Sequence, residues 1–285
     1  MLKSLTPKDL DGGVNLLDIG CSGAPDEKWR PIRRLVNYIG FDPNQAECER
    51  LDAEPREFLS TRHLPYALAG EDGERELFKT KSIYCYSLLE PKHEWLERFS
   101  YADLFEVEGT IPVTVKAMSN VAELAAFDAD VVKVDSQGLD MEILRNGRDI
   151  VSRAFYVETE PGFVEHYRGE NTFCQVAGLM GELGYLLFGL TLCGVPRKGP
   201  FAKRKGKTQV MWGQNVWLKD YVALEAEGRA GTLTRAKALK ALLLCAVEGV
   251  PDFGYELAVC FRGKGLLSGQ ELESLSSESA WNLSE

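Results

Sequence analysis

The sequence predicts a doubly wound, Rossmann-like α/β fold: a mostly parallel sheet with helices on both faces and a helical extension after it. Three observations predict this. Short apolar runs alternate with helix-length segments as far as residue 219. The first run ends in a glycine-containing turn. The second ends in a carboxylate, Asp42, which follows Gly20 of that turn by 22 residues. Strands alternating with helices argue a parallel sheet covered on both sides. A strand buried on both faces reads as a continuous apolar run rather than as an alternation.

Taken in order, the runs expected to be strands are Val14–Ile19, Val36–Phe41, a weaker 63–69, then 130–134, 154–158, 185–190 and 215–219. Segments 25–35, 45–57, 140–152 and 173–183 are the expected crossover helices. Residues 71–120 break the rhythm. There 74–87 reads as a hairpin or strand pair, 91–99 as a short helix, and Val113-Thr114-Val115 as part of a strand. After Asp220 the pattern turns helical. Residues 234–247 carry apolar side chains at a helix period, with Thr234 as N-cap and Gly249 as stop. From Ser268 the chain is rich in Ser and Glu with little to bury, so a mobile acidic tail is expected. The resulting organisation is an α/β domain over 1–221, with 71–120 inserted between its third and fourth core strands, and a helical extension over 222–285.

Composition narrows the class. With 285 residues, 45% of them hydrophobic, the chain can bury a sizeable core without disulfide staples. Its 7 cysteines are odd in number and no two stand at a C-x-x-C spacing, which reads as free thiols in a reducing compartment. The opening residues lack the apolar core of a signal peptide. The longest apolar run, 241–247, is far short of the roughly 20 residues that cross a membrane. A formal net charge of −10 disfavours a phosphate backbone as partner. The expectation is a soluble, cytoplasmic protein acting on a small molecule, with no nucleic-acid or membrane partner. An assembly of copies through the C-terminal helices is a further expectation.

The chemistry concentrates at two turns. Gly20-Cys21-Ser22-Gly23 follows the first strand, where glycines admit a ligand close to backbone and a helix start offers free N–H groups. Asp42-Pro43-Asn44 ends the second. A carboxylate about 20 residues beyond the glycine turn accepts hydrogen bonds from ribose hydroxyls in nucleoside-binding α/β folds. A nicotinamide enzyme would call for a third glycine and a proton-transfer pair such as Tyr-x-x-x-Lys, and no tyrosine here has a lysine four positions on. That favours S-adenosylmethionine. A nicotinamide-dependent oxidoreductase or epimerase, and a non-catalytic nucleoside-binding protein of the same fold, remain the competing readings.

The blocks Leu17-Asp18-Ile19-Gly20, Tyr38-Ile39-Gly40-Phe41-Asp42-Pro43-Asn44, 132–144 (Val132-Lys133-Val134-Asp135-Ser136-Gln137-Gly138 and on to Leu144) and Phe155-Tyr156-Val157-Glu158 together resemble the FkbM family of methyltransferases. The resemblance runs over roughly 14–219. Gln137 and Asp140 depart from it, each standing where the family usually has glutamate, and Gly23-Ala24-Pro25 differs from the usual first loop. The resemblance implies a class I methyltransferase sheet whose last strand returns antiparallel between the fifth and sixth. It implies S-adenosylmethionine as donor, contacted by Asp18, Gly20, Asp42 and Asn44 within the two turns. It also implies a hydroxyl of a sugar or secondary metabolite as acceptor. No metal-ligand spacing accompanies these blocks.

An alcohol acceptor must lose a proton, and ligands in open α/β sheets sit at the C-terminal strand tips. Asp135, Asp140, Glu158, Glu160 and His166 are the bases that the strand pattern brings near those tips. Asp135 stands beside the expected methyl position, as a contact to cofactor or substrate, with helix capping as its plainer role. Glu158 and Glu160 share a face if their strand continues, and one of them can instead be a buried acceptor. His166 has the pKa of a base near neutrality, although an exposed loop histidine is its plainer reading. Between the sixth and last strands, 191–214 carries Arg197, Lys198, Lys203, Arg204, Lys205 and Lys207 in an acidic chain. Lys203, Arg204 and Lys205 are the residues expected to recruit an anionic acceptor.

Overall fold

The computed structural model describes residues 1–23, 25–54 and 57–283. The apolar runs form strands where the sequence places them: β1 (Val14–Ile19) and β2 (Val36–Phe41) pair in parallel from Val14↔Val36 to Ile19↔Phe41. Between them a 3-10 helix, Glu27–Leu35, replaces the expected α-helix. Pro31 in its interior has no N–H to give, which breaks a regular α-helical ladder. Helix α1 (Gln45–Ala53) follows β2; the expected continuation through Pro55 and Arg56 lies outside the described residues.

The third run divides. β3 (Ser60–Leu64) joins the main sheet beside β2, and β4 (Ala67–Ala69) joins a second sheet. Pro65 stands between them, unable to donate to a ladder. β5 (Gly73–Thr80), the short α2 (His93–Leu96) and β6 (Val107–Ala117) make up the insertion. β5 pairs antiparallel with the distant β6, so the local hairpin expected over 74–87 is reduced to the single bridge Phe78↔Ser87. The three-stranded sheet has the order β4-β6-β5.

The core resumes with β7 (Val131–Val134), α3 (Asp140–Asn146), α4 (Arg148–Val151) and β8 (Tyr156–Thr159). The single helix expected over 140–152 is divided at Gly147, where a Cβ would lie 2.1 Å from the Met118 sulfur. Next come α5 (Phe173–Glu182), β9 (Tyr185–Val195) and β10 (Gln209–Lys219). The seven-stranded sheet has the order β3-β2-β1-β7-β8-β10-β9, and β10 runs antiparallel to both β8 and β9. This is the doubly wound order, with the last strand reversed between the fifth and sixth, that the resemblance implies. β9 and β10 each run to 11 residues, longer than the apolar runs suggest. Beyond the Asn215↔Thr159 pair they continue as a two-stranded arm past the end of β8, which shortens the expected 191–214 loop to 196–208.

Side-chain alternation gives the sheet two apolar faces. Leu17, Ile39, Val132 and Val157 face α3, α4 and α5. Leu16, Tyr38, Val131 and Tyr156 face the C-terminal helices: α6 (Tyr221–Ala226), α7 (Arg235–Glu248), α8 (Pro251–Gly263) and α9 (Gly269–Ser274). Thr234 caps α7 and Gly249 ends it in the left-handed region. α7 is buried nearly all round, because the sheet covers one side and α8 with the N-terminal turns the other. The C-terminal segment is thus a layer of the same core, sharing one apolar cluster with the strands. The stretch after Ser268 differs from the tail expected there. Ser268 caps α9 in a capping box, Leu275 and Trp281 are buried, and the Trp281 indole donates to the Leu275 carbonyl at 3.0 Å. One tryptophan landing against Gly254, where a Cβ would lie 2.3 Å from its ring, ties down a segment otherwise poor in apolar side chains.

Candidate active site

At the C-terminal end of the parallel strands, backbone bonds fasten the tips together. The Gly20 and Cys21 amides both donate to the Phe41 carbonyl (2.9 and 3.1 Å), Asp42 N–H to Leu64 (3.2 Å) and Asp135 N–H to Ile19 (2.9 Å). Gly20 lies at φ +82°, and a Cβ there would stand 2.0 Å from the Asp135 carbonyl oxygen. Its glycine is therefore required by the approach of two strand tips. Cys21 turns inward against Gly40, and burial, then Asp18 and Asp42, push its thiol far up. The Gly23 amide donates to Glu47 Oε1 at 3.1 Å, while Ser22 is exposed; Ala24 lies outside the described residues. The free helix start expected after this turn is closed by Asp26, which accepts from the Lys28 amide at 2.9 Å.

At the β2 tip, Asp42 Oδ1 accepts the Asn44 amide at 2.8 Å, and Oδ2 takes no hydrogen bond from the described residues. Burial raises the Asp42 pKa. Asn44 caps α1 through its Oδ1, accepting from Glu47 N–H at 3.3 Å. Asp42 and Pro43 are half-buried and Asn44 is exposed.

In the body of the sheet the register sets Asp18, Lys133 and Glu158 abreast. Asp18 accepts from Tyr38 OH and from Lys133 Nζ, each at 2.9 Å. Each of its oxygens thus takes one hydrogen bond from the protein, and the residue is buried. Burial pulls the Lys133 pKa down, but the surrounding Asp18, Asp135 and Glu158 charges outweigh it and the net direction is up. Glu158, 7% exposed, pairs with Lys28, which also donates to Tyr156 OH at 2.9 Å. It is a buried acceptor inside an ionic row, one residue pair short of the tips.

Asp135 and Glu160 stand two residues further along β7 and beyond β8, on the same face. Glu160 adjoins Asp135, the next position after the Val134↔Thr159 pair; burial and then the Asp135 charge push its pKa up to about 8. Gln137, held at φ +51°, donates from Nε2 to Asp135 Oδ1 at 2.7 Å, and its Oε1 accepts from Tyr167 OH at 3.3 Å. Behind them Asp140 is buried, accepts from Ser136 Oγ at 2.5 Å, and leaves Oδ2 without a partner; burial raises its pKa to about 7.

His166 differs from the exposed loop histidine that its position suggests. It is 4% exposed and ringed by Trp95, Tyr101, Phe105 and Trp212; Nδ1 lies 3.4 Å from Glu170 and Nε2 is unpartnered. The segment before α5 folds back under the β9–β10 arm, which is why a residue past a strand tip becomes interior. In the loop at the end of that arm, Arg197 lies over the Phe99 ring, 4.5 Å from its centroid, and Lys198 reaches Asp103 at 3.5 Å. Lys203, Arg204 and Lys205 are exposed and make no ion pair among the described residues. Asp42, Asp135 and Glu160 thus follow the C-terminal ends of β2, β7 and β8, and the basic loop lies at the far end of the β9–β10 arm. It sets Asp18 and Glu158 beneath. Gln137, which donates to Asp135, has no sequence pattern announcing it; Glu160 has one, its spacing of two from Glu158.

A doubly wound sheet with a reversed penultimate strand, a glycine turn and a carboxylate at the second tip defines a class I S-adenosylmethionine-dependent methyltransferase. The model of the methyltransferase FkbM domain matches residues 24–187, and the chain belongs to that family. Solved structures similar to this chain include a methyltransferase FkbM from Methylobacillus flagellatus, 7% identical, with 71% of this chain and 43% of that chain covered and a TM-score of 0.37. A TehB-like SAM-dependent methyltransferase from Corynebacterium glutamicum is 11% identical, covering 75% and 86%, at 0.34. A SAM-dependent methyltransferase from Methanosarcina mazei is 10% identical, covering 75% and 98%, at 0.37. This chain spans less than half the length of the Methylobacillus protein. No curated protein matches it. Among the described residues no helix is long and apolar enough to cross a membrane.

Proposed function

We propose that the protein methylates a hydroxyl oxygen of a small anionic acceptor, a sugar or secondary metabolite, and that Asp135 and Glu160 receive the proton. The observation that carries this reading is the carboxyl pair itself: two acids side by side at the tips of neighbouring strands, the next positions after the Val134↔Thr159 pair, with no salt bridge to either among the described residues. Like charges in contact cannot both ionise freely, so the pair holds a proton near neutrality and can take or release one there. S-adenosylmethionine, when bound, supplies an electrophilic methyl group. The residues present fit it: among the described residues the second oxygen of Asp42 is an unused acceptor suited to ribose hydroxyls, and Gly23 has nothing within 4 Å of a Cβ placed there. Asp42 would hold the ribose and Asn44 and Ser22 would line the turn. Asp18 acts on the site indirectly, by anchoring Lys133 and Tyr38 beneath it. Gln137 fixes the orientation of Asp135, so that a free carboxylate lone pair faces the acceptor hydroxyl. The overall charge of −10 and the free thiols favour a small acceptor and a reducing, cytoplasmic setting.

The test begins with calorimetry on the purified protein. S-adenosylhomocysteine should bind, and Asp42→Ala should weaken it by about 1.5–3 kcal/mol, the range for hydrogen bonds to a charged group. Unchanged affinity in a folded variant would remove the ribose assignment.

A further inference from the structure

At the opposite end of the sheet from the strand tips, a cavity of about 520 Å³ opens between the starts of β8 and β9, the end of β10 and the segment before α7. Its walls carry Arg148, Arg153, Lys219, Arg229 and Lys237, with Tyr221 and Leu224 as apolar lining. Three carboxylates answer these five cations. Asp128 is shared by Arg153 and Lys237 (3.0 and 3.1 Å), Glu182 pairs with Arg148 (3.4 Å) and Glu227 with Arg229 (2.6 Å). Lys219 has none among the described residues. It is 6% exposed, donates to the Ser152 carbonyl, and lies 4.7 Å from the centre of the Tyr185 ring. A buried ammonium normally comes with a counter-charge, since desolvating it alone is costly. Here the nearest charges that act on it, Lys237 and Arg229, are of its own sign; burial and then these two lower its pKa to about 8.

We infer that this cavity is a binding site for a small dianion, a phosphate monoester of metabolite size, with Lys219 as its buried anchor and the arginines as its rim. The surplus of two positive charges matches a phosphate dianion, and guanidinium forks suit phosphate oxygens. The volume falls within the range of small-molecule sites, and Tyr221 and Leu224 offer a wall to the ester's body. Lys219 closes β10 and Asp220 caps α6, so the anchor sits on regular elements, while Arg229 comes from the loop before α7. It lies about 17 Å, five strand residues, from Glu160, so it is distinct from the methyl-transfer site.

Titration calorimetry at fixed ionic strength, with inorganic phosphate and a hexose phosphate as probes, tests this. Both should bind saturably. Lys219→Met should weaken them by about tenfold or more, the loss of one charge-assisted bond, with S-adenosylhomocysteine affinity unchanged. Because Lys219 is buried, the exposed-rim double variant Arg229→Gln with Lys237→Gln provides an independent arm and should give a similar loss. Reversing Lys203, Arg204 and Lys205 should leave phosphate binding within about twofold, which separates this cavity from the basic loop. Absence of saturable binding by either probe, or binding that survives both sets of cavity variants, would overturn the inference.

Discussion

In the middle of the sheet, Asp18 and Glu158 lie in a row with Lys133 and Lys28, each carboxylate facing an ammonium. Just beyond the ends of β7 and β8, Asp135 and Glu160 stand side by side; among the described residues Asp135 accepts the Gln137 amide and neither acid makes a salt bridge. The first group is neutralised by salt bridges, whereas in the half-buried second group burial and the neighbouring Asp135 charge raise the Glu160 pKa to about 8. Charge pairing of the first kind holds strands in place; a proton held between acids is available for exchange near neutral pH. The difference separates what supports the site from what can do chemistry in it.

The largest expected effect tests the second group. Asp135→Asn and Glu160→Gln should each lower turnover by about 10²–10⁴-fold, the contribution of a placed base, with S-adenosylhomocysteine affinity little changed. Wild-type turnover in both variants would make the carboxyl pair as structural as the row beneath it. The complementary change is Lys133→Met. It leaves Asp18 buried without its cation and should cost about 3–5 kcal/mol in denaturant unfolding. A cost under about 1 kcal/mol, typical of exposed pairs, would erase the distinction from the other side.

The two groups should also differ in their dependence on pH. A carboxyl whose folded pKa lies above its unfolded value favours the fold only while protonated. Glu160 has an ordinary value of 4.5 and is pushed up to about 8. Its contribution is therefore fully present below pH 4.5 and is lost as pH rises to 8. Asp140, raised from 3.8 to about 7, acts in the same direction. Glu160→Gln should gain Tm relative to the parent across that window, on the order of a few degrees. A constant difference between pH 4.5 and 8 would mean that Glu160 ionises normally.

How legible these groups are in the sequence depends on how far their partners lie along the chain. β1 and β2 are announced by contiguous apolar runs, and Asp42 by its spacing from Gly20, because both are local patterns. The order of the sheet followed from family resemblance. The pairing of Lys28 with Glu158, 130 residues away, is a tertiary event with no local signature. So is the burial of His166, which depends on an arm that the apolar runs marked too short. Pro65 was visible as a residue, but nothing local said that the strand it splits would feed two sheets. In the tail, composition averaged over many serines concealed two apolar residues that pack, Leu275 and Trp281.

The smallest effect concerns the basic loop, which stands outside both carboxyl groups. Arg197 and Lys198 are committed to Phe99 and Asp103 and hold the loop's first residues in place. Lys203, Arg204 and Lys205 are the uncommitted positive charges, about 10 Å or more beyond Trp212 along the β10 arm. At that distance they cannot lower the pKa of Glu160 by contact. What they can do is raise the local concentration of an anion near the cleft, an effect that weakens as salt shortens the screening length. Reversing all three to glutamate should raise the acceptor KM severalfold and flatten the salt dependence of kcat/KM. It should leave S-adenosylhomocysteine affinity and the pH profile set by Asp135 and Glu160 unchanged. A triple variant whose pH profile moves would show the loop coupled directly to the carboxyl pair. Unchanged kinetics, or an acceptor that proves uncharged, would reduce the loop to solvated charge and leave the acceptor's identity to the walls of the cleft alone.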